Sequence, residues 1–253
     1  MVRGVGVLNL KNETSGRHIK VSVVLPAHNE ADTLEKAVTE ITKVLGEYAG
    51  TYEIIVAEDG STDGTDKKAD ELSERLPFVR HIHSEKRLGR GKALKNAFHQ
   101  SNGEILVYMD VDLATDVRQL KELIDRVHKE GYDFATGSRM LPESNVERSG
   151  TRDLASKTYN FMVRLVLGSK VRDHQCGFKA FRREPLLQLL DEVVADHWFW
   201  DTELLVRAHR RGYRIKEIPV LWKSGRETKV RLLHDSLYMG WQIFSLWWHL
   251  KVQ

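Results

Sequence analysis

Short apolar runs rich in β-branched residues alternate with longer amphipathic segments through the first half of the chain. The runs "VSVVLPA", "YEIIVAE", "VRHIHS" and "EILVYM" are typical of strands. Between the first two, apolar residues recur at helical spacing, as at Leu34, Val38 and Ile41. This alternation predicts an α/β protein with a mainly parallel sheet covered by helices. Ligands bind such sheets beyond the carboxyl ends of the strands, so the polar clusters "PAHNE", "EDGSTDGT" and "DVDLATD" mark the predicted site.

Length and composition favour one large domain without disulfide bonds. The chain has 253 residues, is 41% hydrophobic and contains one cysteine, Cys176, which we interpret as a packed thiol in a protein of a reducing compartment. No run of about 18 apolar residues is present, and the N-terminal segment lacks the features of a signal peptide. We therefore expect a cytoplasmic protein.

The net charge of +3 is unevenly distributed along the chain. Residues 1–138 contain more acidic than basic side chains, and the remainder is basic. A basic half favours contact with phosphates or an anionic surface, although solvated lysine and arginine side chains on helices explain it equally well. No repeat interleaves aromatic and basic residues, so nucleic acid is not a predicted partner.

Two pairs of carboxylates follow predicted strands. Asp110 and Asp112 come directly after "ILVYM", where both side chains can reach one ion, and oxygen ligands of this kind suit Mg²⁺ or Mn²⁺. Glu58 and Asp59 follow "YEIIVA" and are placed to bind the base and ribose hydroxyls of a nucleotide. The alternative for each pair is structural: solvated turn aspartates in the first case, and a turn with a helix cap in the second.

Six motifs, in their order and approximate spacing, resemble the inverting family-two glycosyltransferases of the GT-A fold. The resemblance is greater to the dolichyl-phosphate glucose and mannose synthases, which are polyprenyl-phosphate glycosyltransferases, and it covers roughly residues 20–235. "DHQCGFK" is more similar to the glucose synthases than to the mannose synthases. The motifs are "VVLPAHNE", "AEDGSTDGT", "GRGKALKNAF", "EILVYMDVDL", "FATGSR" and "DHQCGFKAF".

The resemblance implies a donor site at the predicted sheet edge. Asp110 and Asp112 would hold Mg²⁺ or Mn²⁺ on the donor diphosphate, with Asp112 as a catalytic residue. Two positions depart from the family pattern: Ala114 replaces a glutamine that helps to hold the metal, and Glu58 replaces the first of two aspartates. The nucleotide-binding residues implied are Pro26, Asn29, Glu30, Glu58, Asp59 and Asp110.

The resemblance also implies an acceptor site. Arg139 in "GSR" would lie near the reacting phosphates as a catalytic residue, and Arg152 with Ser156 would receive the acceptor phosphate. For Arg152 a salt bridge is an equally good interpretation. Arg226 or Lys229 would close over the diphosphate, unless their segment is an ordinary solvated loop. Arginine suits this role because it stays charged and can meet two phosphate oxygens at once.

No catalytic base is required by this chemistry. A polyprenyl monophosphate is already an anionic nucleophile near neutral pH, so alignment and charge stabilisation can drive the transfer. Asp201 and Glu203 in "FWDTELL" form a possible catalytic pair, but we interpret them as helix-capping and scaffold residues.

The C-terminal segment 230–253 is predicted to be an amphipathic helix appended to a catalytic domain of residues 1–229. Trp241, Phe244 and Trp248 share one face with Val230, Leu233 and Leu237. We expect this face, helped by the apolar side of residues 154–167, to lie on a membrane surface. The alternative is that it packs on the protein's own core or on a second subunit.

The function predicted is transfer of one sugar, with inversion, from a nucleotide diphosphate sugar to a polyprenyl phosphate at the cytoplasmic membrane face. UDP-glucose is the favoured donor and GDP-mannose the alternative. Two other functions stay open: a family-two transferase acting on a glycan acceptor, and an inactive nucleotide-binding scaffold.

Overall fold

The computed structural model describes residues 20–48, 50–148, 150–223 and 232–252. The strands are β1 (Val21–Ala27), β2 (Tyr52–Glu58), β3 (Val79–Ile82), β4 (Ile105–Met109), β5 (Phe134–Ser138), β6 (Asn145–Glu147), β7 (Phe178–Arg182), β8 (Ile215–Pro219) and β9 (Leu221–Lys223). The helices are α1 (Ala31–Tyr48), α2 (Thr65–Arg75), α3 (Arg90–Gln100), α4 (Leu120–His128), α5 (Gly150–Leu167), α6 (Arg183–Leu190), α7 (Trp200–Arg210) and α8 (Leu232–Val252).

A seven-stranded sheet in the order β3-β2-β1-β4-β7-β5-β8 forms the centre of the fold. Strands β1 to β4 are parallel, and β5 is parallel to β8. Strand β7 lies between β4 and β5 and is antiparallel to both. The second sheet pairs β6 with β9 in parallel. The predicted α/β fold with a mainly parallel mixed sheet is therefore confirmed.

Both faces of the large sheet are covered by helices because alternate strand residues point to opposite sides. In β1, Val23 and Leu25 pack with α1, α2 and α4, whereas Val24 packs with α3, α6 and α7. Helix α1 buries the stripe that its spacing predicts, including Leu34 and Ile41. Strands buried on both faces explain the near-continuous apolar runs in the sequence.

Strand β7 is an element that the sequence pattern did not reveal. The sequence pattern predicts a loop over residues 171–184, but residues 178–182 form a central strand. The first four residues of β7, Phe178 to Phe181, are fully buried, and Lys179 is one of them. A charged residue inside a five-residue strand interrupts the apolar pattern by which buried strands are recognised.

Two further boundaries differ from the sequence-based expectation. The polar composition of residues 141–153 predicts a lid loop, but this segment contains strand β6 and the first turn of α5, which begins at Gly150. Residues 213–222 are predicted to form one strand, but the structure divides them at Val220 into β8 and β9, which belong to different sheets. These short elements leave little periodicity in the sequence.

From Tyr238 onwards, where its side chains are described, helix α8 buries one face against the body of the protein. Met239, Ile243 and Leu246 are buried in a cluster that also contains Tyr159 and Val163 of α5. On the other face the aromatic residues are exposed: Trp241 by 65%, Phe244 by 51% and Trp248 by 57%. The aromatic face predicted from the sequence is therefore exposed, and a different face of α8 packs on the core. The side chains of Val230, Leu233 and Leu237 lie outside the described part.

Candidate active site

The site lies where the order of strands in the sheet reverses. From β1 the chain proceeds to β2 and β3 on one side of the sheet, and β4 then pairs with β1 on the other side. The carboxyl ends of β1 and β4 therefore diverge and leave a crevice, which is the usual ligand site of open parallel sheets. The residues that follow β1, β2 and β4 are those of the three polar motifs.

Asp110 is fixed at the crevice by two neighbours. Its N–H donates to the carbonyl of Gly177 at 3.0 Å, and its Oδ1 lies 2.7 Å from Nη2 of Arg90. The carboxylate rests directly on the Cα of Gly177, because a Cβ built there would lie 2.0 Å from Asp110 Oδ2. Arg90 is held in turn between the rings of Tyr108 and Trp198, at 5.4 and 5.2 Å from their centroids.

Asp112 is more exposed and only partly neutralised. One carboxylate oxygen accepts the N–H of Ala114 at 3.0 Å. Partial desolvation raises the pKa of Asp112, and the negative charges of Asp110 and Glu30 raise it further. Two carboxylates that crowd each other at the mouth of a crevice form a hard oxygen donor set, so these residues fit a divalent cation such as Mg²⁺ or Mn²⁺. The buried Ala114 side chain offers no ligand atom to replace the family's glutamine.

The loops after β1 and β4 contain an unusual backbone conformation. Asn29 and Leu113 have φ angles of 58° and 53°, and they are the non-glycine residues with positive φ in the described part of the chain. Left-handed conformations are uncommon outside glycine and concentrate at functional loops. Their positions, one in each loop bordering the crevice, support a functional role for this sheet edge.

The motif after β1 is joined to the motif after β2 by reciprocal hydrogen bonds. The N–H of Asn29 donates to Ser61 Oγ at 3.0 Å, and Asn29 Oδ1 accepts the N–H of Thr62 at 2.9 Å. The N–H of Glu30 donates to Thr65 Oγ1 at 2.8 Å. The structure thus brings together residues that are about 30 positions apart in sequence.

The carboxylates of Glu58 and Asp59 are engaged within the protein. Asp59 accepts the N–H groups of Leu88 and Gly89 at 2.6 and 2.9 Å, which fixes the start of α3. Glu58 accepts the N–H of Ser61 and faces the ring of His83. Both residues therefore shape the crevice wall, and their predicted contact with a nucleotide stays a prediction, as does that of Pro26 at the end of β1.

Arg139 forms a buried bidentate pair with Asp173. Arg139 Nε and Nη2 donate to the two carboxylate oxygens at 2.7 and 2.9 Å, and the N–H of Arg139 also donates to Asp173. Burial alone would raise the pKa of Asp173, but the charge and hydrogen bonds of Arg139 outweigh burial and hold that pKa far below its usual range. The guanidinium also lies 5.7 Å from the ring centroid of Trp222. Arg139 and Asp110 both contact the loop that precedes β7, Arg139 through Asp173 and Asp110 through Gly177.

The predicted acceptor residues Arg152 and Ser156 lie on the first turns of α5 and are partly exposed. A salt bridge between Arg148 and Asp153 holds the start of α5, and the role of Arg152 stays a prediction. Arg226 and Lys229 lie outside the described residues.

The small sheet connects the start of α5 to the loop of Asp112. Strand β6, three residues before α5, pairs with β9. Trp222 of β9 forms a bridge with Thr115, and the N–H of Lys223 donates to the carbonyl of Ala114 at 2.8 Å. The segment that contains Arg226 thus begins next to the loop of Asp112.

Asp201 and Glu203 have scaffold partners, as interpreted from the sequence, but neither is the N-cap of α7, which is Phe199. Glu203 accepts the N–H groups of Val194 and Ala195 and pairs with Arg207. Asp201 is buried, accepts the hydroxyl of Tyr108 and lies 2.9 Å from Nζ of Lys179. Burial favours the neutral form of both members of this pair, so the pKa of Asp201 is raised and that of Lys179 is lowered.

Two other residues of the motifs have structural roles. The third aspartate of "DVDLATD", Asp116, accepts the N–H of Arg118 and caps a short 3₁₀ turn. Cys176 is fully buried, and burial raises the pKa of its thiol to about 11. A thiol of this kind is unreactive near neutral pH, in agreement with the packed thiol predicted.

Sequence reasoning missed three residues that build the site. Arg90 and Gly177 lie within quoted motifs, "GRGKALKNAF" and "DHQCGFKAF", but neither was assigned a role. Asp173 is the first residue of "DHQCGFKAF", and it was not recognised as the partner of Arg139. A buried aspartate and a glycine in close contact with a carboxylate have no periodic signature, so only the packing identifies them.

Comparison with known proteins identifies the family of the chain. The profile of glycosyl transferase family 2 matches residues 22–190. Glycosyltransferase AglD of Haloferax volcanii is 51% identical over 237 residues, which are 93% of this chain but 38% of that protein. The chain therefore spans well under half of that relative. The human dolichyl-phosphate beta-glucosyltransferase is 32% identical over 235 residues, 87% of this chain and 72% of that protein.

The fold is shared with a solved enzyme. Glucosyl-3-phosphoglycerate synthase from Mycobacterium tuberculosis, crystallised with Mn²⁺, uridine diphosphate and glucosyl-3-phosphoglycerate, has a TM-score of 0.66 at 22% identity. The match covers 90% of this chain and 78% of that one. The mixed sheet and the carboxylate crevice thus define a glycosyltransferase of the GT-A fold. The chain belongs to glycosyl transferase family 2, and the resemblance to dolichyl-phosphate glucosyltransferases inferred from its motifs is confirmed.

Proposed function

We propose that this chain transfers one sugar, with inversion, from a nucleotide diphosphate sugar to a polyprenyl phosphate at the cytoplasmic face of a membrane. The observation that supports this proposal most strongly is that Asp110 and the buried Arg139–Asp173 pair contact the same loop before β7, with Asp112 two residues after Asp110. A carboxylate pair suited to a cation beside a fixed guanidinium matches a reaction in which two phosphate groups must meet.

Asp110 and Asp112 would hold the divalent cation. When bound, Mg²⁺ or Mn²⁺ would take up the charge that develops on the leaving diphosphate. Arg90 keeps the carboxylate of Asp110 in place, and the wall formed by Asn29 and Asp59 would receive the nucleotide. Arg226 or Lys229 would cover the diphosphate, since their segment follows Lys223, which is attached to the loop of Asp112.

The acceptor needs no proton to be removed because a phosphate monoester is already anionic near neutral pH. Asp201 is not placed to act as a base, because its carboxylate is buried and already contacts Tyr108 and Lys179. Arg139, held rigid by Asp173, would instead align and neutralise the incoming phosphate. Rigid positioning of a charged group is an effective way to stabilise a transition state.

The identity of the donor is best tested by a transfer assay. UDP-glucose, GDP-mannose and other UDP-sugars would each be supplied with one short-chain polyprenyl phosphate and Mg²⁺ or Mn²⁺. We propose UDP-glucose as the preferred donor, supported by "DHQCGFK" and by relatives named as dolichyl-phosphate glucosyltransferases. A preference for GDP-mannose would instead assign the chain to the mannose synthases. Turnover of no donor would reject the proposed enzyme function.

Arg152→Ala should separate the acceptor from the donor. A charge-assisted hydrogen bond contributes about 1.5–3 kcal/mol, so we expect about 10–100-fold lower kcat/KM for the polyprenyl phosphate. Nucleotide affinity, measured by calorimetry, should change by less than about twofold. Arg164→Ala, which removes an exposed arginine from the same helix, is the matched control and should leave both quantities unchanged. Equal losses in donor and acceptor would assign Arg152 to another role.

The membrane surface in this proposal is supported by an aromatic and aliphatic face on two helices in contact. The outward side of α5 exposes Leu154, Phe161 and Leu165 by 60–71%. On α8, Trp241, Phe244 and Trp248 are exposed. Exposed large apolar side chains in this number commonly mark a contact with a partner or a membrane, and tryptophan favours the interfacial region. No helix within the described ranges combines the length and apolarity needed to cross a bilayer.

Liposome flotation should detect this contact. Exchanging Trp241, Phe244 and Trp248 together for glutamine should weaken partitioning about 10²-fold or more, since each ring contributes about 2 kcal/mol when buried. Val194→Gln alters a similarly exposed apolar residue on neither helix and should float like the parent. Unchanged flotation of the triple variant would exclude this face as the main membrane contact.

A further inference from the structure

Three potential metal ligands meet at the edge of the large sheet, on the strands β2 and β3. The parallel register pairs Val56 with His81, so Glu58 and His83, two residues further on, extend the same face. One ligand atom from each of Glu58, His81 and His83 lies within 4.8 Å of the other two. The sequence "HIH" on a strand places both imidazoles on one side.

A hydrogen bond to Asp70 orients the ring of His81 and leaves its other nitrogen available as a metal ligand. Its Nδ1 lies 2.7 Å from Oδ1 of Asp70 on α2, and since a carboxylate accepts, Nδ1 carries the proton. Nε2 is therefore left with a lone pair. This atom is buried and lacks a hydrogen-bond partner among the residues that the structure describes, and the side chain is only 6% exposed. A carboxylate behind a histidine is the usual arrangement that orients metal-binding imidazoles.

Glu58 and His83 complete the set. Glu58 is buried, and its Oε2 lies 2.5 Å from Nδ1 of His83, so these two groups are already adjacent. The side chain of His83 is 47% exposed, which leaves an entry path and room for water as a further ligand. Two imidazole nitrogens and one carboxylate oxygen form a donor set that suits Zn²⁺ or Co²⁺ more than Mg²⁺.

We propose that Glu58, His81 and His83 bind one transition-metal ion, in a site separate from that of Asp110 and Asp112. The ion would also affect the crevice, because Glu58 accepts the N–H of Ser61, whose hydroxyl accepts the N–H of Asn29. A bound ion would therefore hold Glu58 in place, and through Ser61 it would restrict the motion of the loop that contains Asn29.

The test uses tag-free full-length protein with Co²⁺ or Zn²⁺ alone. Visible absorption should report one Co²⁺ bound through imidazole ligands, and calorimetry one Zn²⁺ at the same site. Both signals should persist in Asp112→Asn, which removes a ligand of the other site. His83→Ala should abolish them without loss of fold, because this ring is half exposed, whereas His99→Ala should retain them as the matched control.

Asp70→Asn gives a second, independent readout. The asparagine cannot orient His81 as the carboxylate does, so Co²⁺ affinity should fall about 10–100-fold while the absorption spectrum keeps its shape. Absence of imidazole-type absorption in the parent protein would overturn the proposal. Equal binding by the parent and His83→Ala would also overturn it.

Discussion

Asp112→Asn is expected to lower sugar transfer about 10³-fold while the protein remains folded. The substitution keeps the shape of the side chain but removes one of two carboxylates suited to a divalent cation, and loss of metal-based charge stabilisation is worth about 4 kcal/mol. Steady-state transfer measured over a Mn²⁺ and Mg²⁺ titration would check this result. Asp116→Asn removes the same charge four residues after Asp112, at a capping position, and should retain most of the activity.

The same variant should be at least as stable as the parent when metal is absent. The pKa of Asp112 is raised in the folded state, so its contribution to stability is fully present below the pKa of an unfolded aspartate and is lost as pH rises through the folded value. At neutral pH the carboxylate therefore opposes folding, and asparagine removes that charge. A thermal melt in chelator at pH 7 would show an equal or higher Tm. A clear decrease in Tm would contradict this electrostatic account.

Gly177→Ala is expected to impair the metal site without altering any side chain that could bind a ligand. The new Cβ would lie 2.0 Å from Oδ2 of Asp110 and 2.4 Å from its Cγ, so the carboxylate must move. Displacement of a catalytic group by about 1 Å typically costs about 10²-fold in rate. We expect weaker Mn²⁺ binding in calorimetry and a similar loss of transfer.

Gly46→Ala is the matched control for this substitution. A Cβ at Gly46 meets nothing within 4 Å, and alanine favours the helix α1 in which this glycine lies. It should leave metal binding and transfer unchanged. If Gly177→Ala bound Mn²⁺ with the parent's affinity, the contact between Gly177 and Asp110 would not be important for the site.

Long periodic elements of the fold were predictable from the sequence because burial leaves a strong pattern. The stripe on α1 and the β-branched runs of β1, β2 and β4 identified the parallel half of the sheet. The short strand β7 was not predictable, since it is antiparallel and buries Lys179. Its position between β4 and β5 depends on long-range pairing that no local pattern specifies.

The polar motifs indicate where the candidate site lies, but they do not indicate the contacts within it. Asp110 and Asp112 follow a strand at a predictable sheet edge, so their approach to each other follows from the topology. The pair of Arg139 with Asp173 joins residues 34 positions apart and depends on how β5 and β7 are paired. Likewise, the two faces of α8 both contain apolar residues, so spacing alone could not decide which face packs and which is exposed.

The central claim, transfer to a polyprenyl phosphate, is tested most directly by acceptor competition. Full-length protein would receive labelled UDP-glucose and Mn²⁺ with a short-chain polyprenyl phosphate, the corresponding polyprenol or a soluble oligosaccharide. We predict a lipid-linked product only with the phosphate, because Arg139 and Arg152 are proposed to bind an anionic acceptor that needs no base. Efficient transfer to the oligosaccharide, or equal transfer to polyprenol and its phosphate, would contradict the account.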